Sequence, residues 1–366
     1  MSASTVPTTE RAERLAGLLA ERDLDALLVT NLVNVRYLTG YTGTNGLAVV
    51  GRSPDLRRFV TDFRYVTQAS EEVQGYTREI GETDLLESVG IGLPDGELRL
   101  GFDDNEMSVN TFERLRQLLP GRVTLVPAGG VVEALRVVKD ADEVARIRAA
   151  AELADAALTR TLEGGGLVGR TERELALSLE FEMRQAGASG LSFPSIVASG
   201  PHGALPHAQP RDVEIARGSL VVIDWGAVLD GYCSDCTRTF AAGAEPNALA
   251  QDIYGVVLSA QIAALGAVEP GASGRAVDGI ARDAITAAGY GDRFGHGLGH
   301  GVGLEVHEGP RLSKASAATL APGNIVTVEP GIYVPGEAGV RIEDLVHVTA
   351  EGHEVLNGLP KDLTVV

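Results

Sequence analysis

Four acidic residues and one histidine, lying between positions 224 and 343, have the side-chain types needed to hold hard cations. In SLVVIDWGAVLDGYCSDCTRTF (219–240), two β-like runs flank Asp230-Gly231, a strong signal for a tight hairpin. With those two residues as the turn, Leu229 faces Tyr232 and facing positions sum to 461. Gly226 then faces Asp235, and Asp224 lies two residues from Gly226 on the same face. The two aspartates become diagonal neighbours within reach of a common ion. On a strand rich in Val and Ile they repel each other unless a cation or proton sits between them. Taken alone, the pair also fits one turn residue and one solvated residue.

Three more segments extend the set. FGHGLGHGVGLEVHEGP (294–310) places His296, His300 and His307 among glycines. So many glycines oppose a helix and permit close backbone approach to a ligand. In an extended segment His296 and His300 share a face, with His307 on the other parity or beyond a bend. In NIVTVEPGIYV (324–334), Glu329 ends an apolar strand before Pro330-Gly331. In GVRIEDLVHV (339–348), Glu343 sits between apolar neighbours with Arg341 on its strand face. A carboxylate inside a β run is costly unless compensated. An exposed edge strand explains either glutamate singly, but explains both less well beside the aspartate pair. Together Asp224, Asp235, His300, Glu329 and Glu343 carry a charge of −4, which two divalent cations would neutralise. The oxygen-rich set suits Mn²⁺, Co²⁺ or Fe²⁺, whereas an all-protein tetrahedral zinc site favours Cys and His. Two close metals can share a hydroxide and polarise a carbonyl, a route to hydrolysis.

The elements that must position these residues fall into two regions. Helical spacing over 9–22 and 111–119, with strand-like runs at 25–30, 46–51, 57–62 and 122–126, indicates an α/β domain. Near 130–140 the pattern changes. A long helix is expected over roughly 141–164, capped by Asp140 with Glu143 and stopped at Gly164-Gly165-Gly166. A second starts at Thr171 with Glu174, and two more are expected at 246–266 and 274–288. Strand-like runs at 193–198, 219–228, 232–241, 324–329 and 339–349 make this second region α+β. All seven histidines, both cysteines and Trp225 lie beyond residue 201, so the chemistry is expected there.

Composition narrows the partners. A net charge of −19 over 366 residues argues against nucleic acid or an anionic membrane. Hydrophobic residues at 44% allow a large core. MSASTVPTTERAERL has no apolar core of a signal peptide, and no apolar run approaches a membrane span of roughly 18 residues. Two cysteines make no disulfide scaffold, so a cytoplasmic location is expected. Cys233 and Cys236 form C-x-x-C, but on a strand they point to opposite faces, so packing is the preferred reading. His347 and His353 are read as surface or core residues, His202 as loop and Trp225 as core.

The order and spacing of IDWGAVLDGYCSDCTRTF, HGLGHGVGLEVHE, TVEPGIYV and GVRIED resemble the pita-bread metallopeptidase family, specifically Xaa-Pro aminopeptidase and Xaa-Pro dipeptidase (prolidase). FPSIVASGPHGALPHAQP (193–210) resembles the segment that delivers a substrate-side histidine. NVRYLTGYTGTNG (34–46) and TDFRYVTQA (61–69) resemble the creatinase-like N-terminal domain, and LRVVKDADEVARIRAA (135–150) the linker helix. The resemblance implies a creatinase-like domain over 1–133 and a pita-bread catalytic domain over 134–366. It implies that Asp224, Asp235, His300, Glu329 and Glu343 ligate two divalent ions, Mn first with Co, Fe or Zn as alternatives. Glu329 would double as general base, with a hydroxide bridging the metals as nucleophile. His207 and His307 would bind substrate and steady the tetrahedral intermediate. Arg341 would hold a ligand carboxylate, His296 would stand near the site, and Arg311 would hold the free carboxylate of a dipeptide. The expected substrates are proline-containing peptides and the expected assembly a homodimer. Xaa-Pro aminopeptidase is the preferred activity, with prolidase the alternative. Creatinase and the metal-free binding modules of this fold differ in lacking the ligand set.

Overall fold

The computed structural model describes residues 8–366. The first seven residues of the stretch read as lacking a signal peptide lie outside the described residues. Two compact units divide between Arg136 and Val137.

The first unit contains helices α1 (Thr8–Glu21), α2 (Leu32–Thr39), α3 (Val66–Glu72), α4 (Val109–Leu118) and α5 (Val131–Arg136). Its sheet contains β1 (Ala26–Val29), β2 (Leu47–Gly51), β3 (Arg57–Thr61), β4 (Thr77–Ile80), β5 (Leu98–Phe102) and β6 (Val123–Pro127), in the order β4-β3-β2-β1-β5-β6. The pairings β1–β5, β5–β6 and β3–β4 are parallel, while β1–β2 and β2–β3 are antiparallel. Leu28, Val49, Val60 and Leu100 close its core against Leu115 of α4. The expected boundary at 133/134 falls inside α5, and the division comes at the end of that helix instead.

The second unit opens with α6 (Ala141–Glu163) and α7 (Glu172–Gln185). Each has the expected capping box, Asp140 with Glu143 and Thr171 with Glu174. These boxes satisfy helix N–H groups that would otherwise lack partners. The strands β7 (Gly190–Leu191), β8 (Ile196–Ser199), β9 (Leu220–Trp225), β10 (Ala227–Leu229), β11 (Tyr232–Cys233) and β12 (Cys236–Ala241) follow. They form two three-stranded sheets, β11-β10-β7 and β12-β9-β8. Then come α8 (Ala248–Leu265), α9 (Gly274–Ala287), β13 (Gly299–Gly301), β14 (Glu308–Leu312), β15 (Ile325–Val328), β16 (Gly331–Val334), β17 (Ala338–Arg341), β18 (Asp344–Val348) and β19 (His353–Val355). A five-stranded sheet runs β14-β13-β15-β18-β19, and β16 pairs with β17.

Leu229 pairs with Tyr232, and Thr237 with Asp224, so the expected register holds across both halves of the hairpin. The ladder breaks at Gly226, where an added Cβ would lie 2.1 Å from the carbonyl oxygen of Ser234. Trp225 is fully buried and donates from Nε1 to the carbonyl of Ala154 at 2.9 Å. Cys236 packs with Trp225 in one cluster and Cys233 with Val302 and Ile325 in another, and the two form no disulfide.

One expectation needs correcting. Helix α8 is 18 residues long with mean hydropathy 1.4, long and apolar enough to cross a membrane. Gln251, Asp252 and Gln261 obscure that run in the sequence. In the fold its apolar side packs on the core through Ile253, Val257, Ala260 and Ala264. Gln261, fully buried, donates to Asp344 Oδ2 at 2.6 Å. Arg238 Nη2 donates to Asp344 Oδ1 at 2.8 Å, and further Arg238 donors reach the carbonyls of Thr237, Leu359 and Pro360. This hub ties β12, β18, α8 and the C-terminal segment together. Its neighbours in sequence, Thr237 and Glu343, form an antiparallel bridge. Strand alternation turns their side chains the other way, toward a cavity. Breaking a buried ion pair leaves an uncompensated charge. Arg238→Ala is therefore expected to lower the unfolding free energy by about 3–5 kcal/mol, measured by urea denaturation.

Candidate metal centre

Between these sheets of the second unit lies a cavity of about 510 Å³. Its wall includes Asp224 from β9, Asp235 from the break before β12, and His300 from β13. Glu329 follows β15, and Glu343 lies between β17 and β18. His207, His296, His307, Arg311 and Arg341 line the same space. All ten residues singled out in the sequence thus converge on one cavity. Asp235, His300 and Glu343 each offer an atom within 4.8 Å of the others. Nε2 of His300 lies 3.3 Å from Glu329 Oε1 and 3.6 Å from Asp235 Oδ2.

The glycines around His300 have a packing reason. A Cβ on Gly299 would lie 2.0 Å from the Thr327 carbonyl oxygen, and one on Gly301 equally close to that of Gly309. Only glycine lets β13 lie so tightly between β14 and β15. The chain then doubles back, and the rings of His300 and His307 meet edge to face at 4.4 Å. His296 does not share their cluster; it sits 5.6 Å from the Tyr333 ring.

The polar contacts fix the direction of several hydrogens. The carbonyl of Gly301, 3.1 Å from His300 Nδ1, accepts its proton, and Nε2 is the ring nitrogen turned toward the carboxylates. Thr327 Oγ1 accepts from the His300 N–H at 3.1 Å and donates to Glu329 Oε1 at 2.9 Å. Thr237 Oγ1 donates to Glu343 Oε2 at 2.7 Å and accepts from Arg341 Nε at 3.1 Å. Arg341 also donates to Asp224 Oδ2 at 2.5 Å, to Tyr333 Oη at 2.7 Å and to the Pro206 carbonyl at 3.1 Å. Tyr333 Oη in turn donates to His296 Nε2 at 2.9 Å, since His296 Nδ1 gives its proton to the Gly297 carbonyl. Tyr333, Thr237 and Thr327 were not singled out from the sequence. Their hydroxyls carry no spacing signal, although Thr327 and Tyr333 lie within the quoted TVEPGIYV segment and Thr237 within IDWGAVLDGYCSDCTRTF.

The fit of this donor set to cations can be read from the site itself. Asp224 Oδ1 is buried and has no hydrogen-bond partner. A buried acceptor left unpaired is costly, and here it shares a cavity with three more carboxylates. Burial first, then the charges of Glu343, Asp224 and Glu329, pushes Asp235 well above the usual carboxylate range. Burial and the charges of Glu329 and Asp224 do the same to Glu343. Burial also raises Glu329, but its bond to His300 and the surrounding positive charge, that of Arg341 included, outweigh it and bring it to about 2. Positive charge between these groups relieves all of this strain, so the residues present fit divalent metal. Binding a cation only in the folded state stabilises the fold by mass action. Mn²⁺ titrated into chelator-treated protein is expected to raise Tm progressively. Asp235→Ala should remove most of that rise, with calorimetry as the check.

Residues 145–350 match metallopeptidase family M24, and residues 11–138 match the creatinase/prolidase N-terminal domain. The chain is 36% identical to the Xaa-Pro dipeptidase of Pyrococcus furiosus, covering 97% of this chain and 99% of that one. A solved Xaa-Pro dipeptidase from Bacillus anthracis superposes with a TM-score of 0.93 at 40% identity, covering 98% of this chain and all of its own. An X-Pro aminopeptidase from Thermotoga maritima gives 0.89 at 36% identity, covering 97% of this chain and 100% of that one.

Proposed function

The chain belongs to metallopeptidase family M24, with a creatinase-like N-terminal domain and a pita-bread catalytic domain, and from that premise we propose that it hydrolyses the Xaa-Pro bond of dipeptides. The observation that carries this reading is one cavity lined both by the carboxylate-histidine cluster and by Arg311. Asp224, Asp235, His300, Glu329 and Glu343 would hold two divalent ions, Mn²⁺ foremost. Bound there, the ions would supply Lewis acidity that lowers the pKa of water and polarises the scissile carbonyl.

The remaining work falls to side chains. Glu329 is the acidic group best able to stay ionised, so it takes the proton of the attacking water and passes it toward the proline nitrogen. The nitrogen of the Xaa-Pro amide, like that of any amide, leaves as an amine only once it has gained that proton. His207 and His307, both exposed to the cavity, donate to the carbonyl oxygen as charge grows on it. Arg341, bonded to Asp224, Tyr333 and the Pro206 carbonyl, keeps the carboxylate and the His207 loop in register. The guanidinium of Arg311 pairs with the free carboxylate of the proline residue. Burial holds His296 below its ordinary pKa of 6.5, so the ring stays a neutral acceptor for Tyr333.

Arg311 favours dipeptides over longer peptides, as does the likeness to the Bacillus anthracis and Pyrococcus furiosus dipeptidases. A second reading, cleavage of the first residue from longer Xaa-Pro peptides, is supported by the Thermotoga maritima neighbour. Incubating Mn²⁺-loaded protein with Ala-Pro and with Ala-Pro-Ala separates them. Ala-Pro is expected to be cleaved faster, and faster cleavage of the tripeptide would shift the assignment to the second reading. Removing a hydrogen bond to a charged group costs about 1.5–3 kcal/mol. Arg311→Ala is thus expected to lower kcat/KM for Ala-Pro roughly 10- to 100-fold, with a smaller effect on Ala-Pro-Ala. Asp235→Ala should bring turnover near background while circular dichroism stays unchanged.

A further inference from the structure

Glu172, the first residue of α7, is fully buried and does not line the cavity. The helix does not need its carboxylate for capping, because Thr171 and Glu174 already form the box. Its two oxygens instead collect donors from both stems of one loop. From the entering stem, Ser199 donates its N–H at 2.8 Å and its hydroxyl at 2.9 Å to Oε1, and His202 Nδ1 lies 2.9 Å from Oε2. From the leaving stem, Arg211 donates its backbone N–H at 3.1 Å and Nε at 3.2 Å to Oε2, and Nη2 at 3.2 Å to Oε1. Between these stems lie Pro206, His207, Ala208 and Gln209, four consecutive residues of the cavity wall. The loop has two further anchors. Gly203 packs so closely on β17 that a Cβ on Gly339 would lie 1.8 Å from its carbonyl oxygen, and Arg341 holds the Pro206 carbonyl at 3.1 Å.

A carboxylate taken fully out of water is costly, and packed apolar residues often serve stability as well or better. What the carboxylate adds is geometry, because its oxygens meet donors from two stems at fixed directions. The donors outweigh burial and hold Glu172 below the ordinary carboxylate range. We infer that Glu172 is a positioning residue for His207, clamping both stems of the 199–211 loop so that the imidazole meets the substrate carbonyl. This rests on the role given to His207 in the preceding section. A glutamine at position 172 keeps the size but offers one acceptor oxygen, and turns an amide N–H₂ toward groups that also donate.

The test is a double-mutant cycle on Mn²⁺-loaded full-length protein with Ala-Pro as substrate. A small misplacement of a reacting group can cost up to about a hundredfold. Glu172→Gln is expected to lower kcat about tenfold or more, with KM and bound metal nearly unchanged. In a His207→Ala background the same substitution should cost less than about twofold. Hydrogen exchange of metal-free protein gives a readout without activity, and amides of 200–211 should exchange faster in Glu172→Gln while α6 and α8 do not. An equal loss in both backgrounds, no loss at all, or unchanged exchange in the loop overturns the inference. If His207→Ala alone retains full turnover, the role of His207 fails and Glu172 cannot act through it. If His207→Ala is impaired but the losses multiply, only the present inference fails. Should Glu172→Gln not fold, Arg211→Ala, whose side chain is 47% exposed, removes the two guanidinium donors. The same pattern is then expected at about threefold, and additivity in that cycle counts equally against the inference.

Discussion

Mutual repulsion among Asp224, Asp235, Glu329 and Glu343 is the constraint around which the second unit is organised. Four carboxylates open to one cavity would drive the sheets apart or protonate, and the surrounding residues prevent the first without removing the charge. Arg341 and Thr237 fix Asp224 and Glu343, and Thr327 fixes Glu329 while holding the backbone of His300. Each of these contacts engages one carboxylate oxygen, and Oδ1 of Asp224 is left buried without a partner. The protein supplies rigid walls and unspent negative potential, and divalent metal supplies what completes them.

The second tier of the structure does for the walls what the first does for the carboxylates. Arg238, Asp344 and Gln261 form a buried polar hub on the far side of the strands that present Thr237 and Glu343. Residues adjacent in sequence therefore divide between two tasks, one facing the cavity and the next facing the hub. Arg341 links the tiers sideways, because one guanidinium reaches a carboxylate, a phenol and the backbone of the loop that carries His207. A defect in any of these partners would be felt at the cavity through geometry rather than through lost ligands.

Much of this was legible in the sequence because it follows from local rules. Asp230-Gly231 sets the turn, the turn sets the register, and the register puts the aspartates on one face. Capping residues placed the starts of α6 and α7. What was not legible depends on distant partners. Tyr333 and Thr237 are ordinary strand residues until β17 and β12 bring Arg341 beside them. His202 reads as a loop residue because Glu172, its partner, lies thirty positions away. His307 meets His300 from beyond a bend, the second of the two placements the sequence allowed, because the chain reverses between β13 and β14. Helix α8 escaped notice as a long apolar run because a few polar residues break it, one of which serves the hub. Cys233 and Cys236 behaved as strand alternation requires, entering separate cores.

The alternation in β12 and β18 has an evolutionary corollary. Losing or gaining one residue inside either strand would exchange its two faces, sending Arg238 toward the cavity carboxylates and Thr237 into the interior. Such a frame error cannot be repaired by any point substitution nearby. Length variation in descendants of this sequence should therefore collect in exposed connections away from this hairpin, while its two-residue turn and the strands that bracket the cavity keep a fixed residue count.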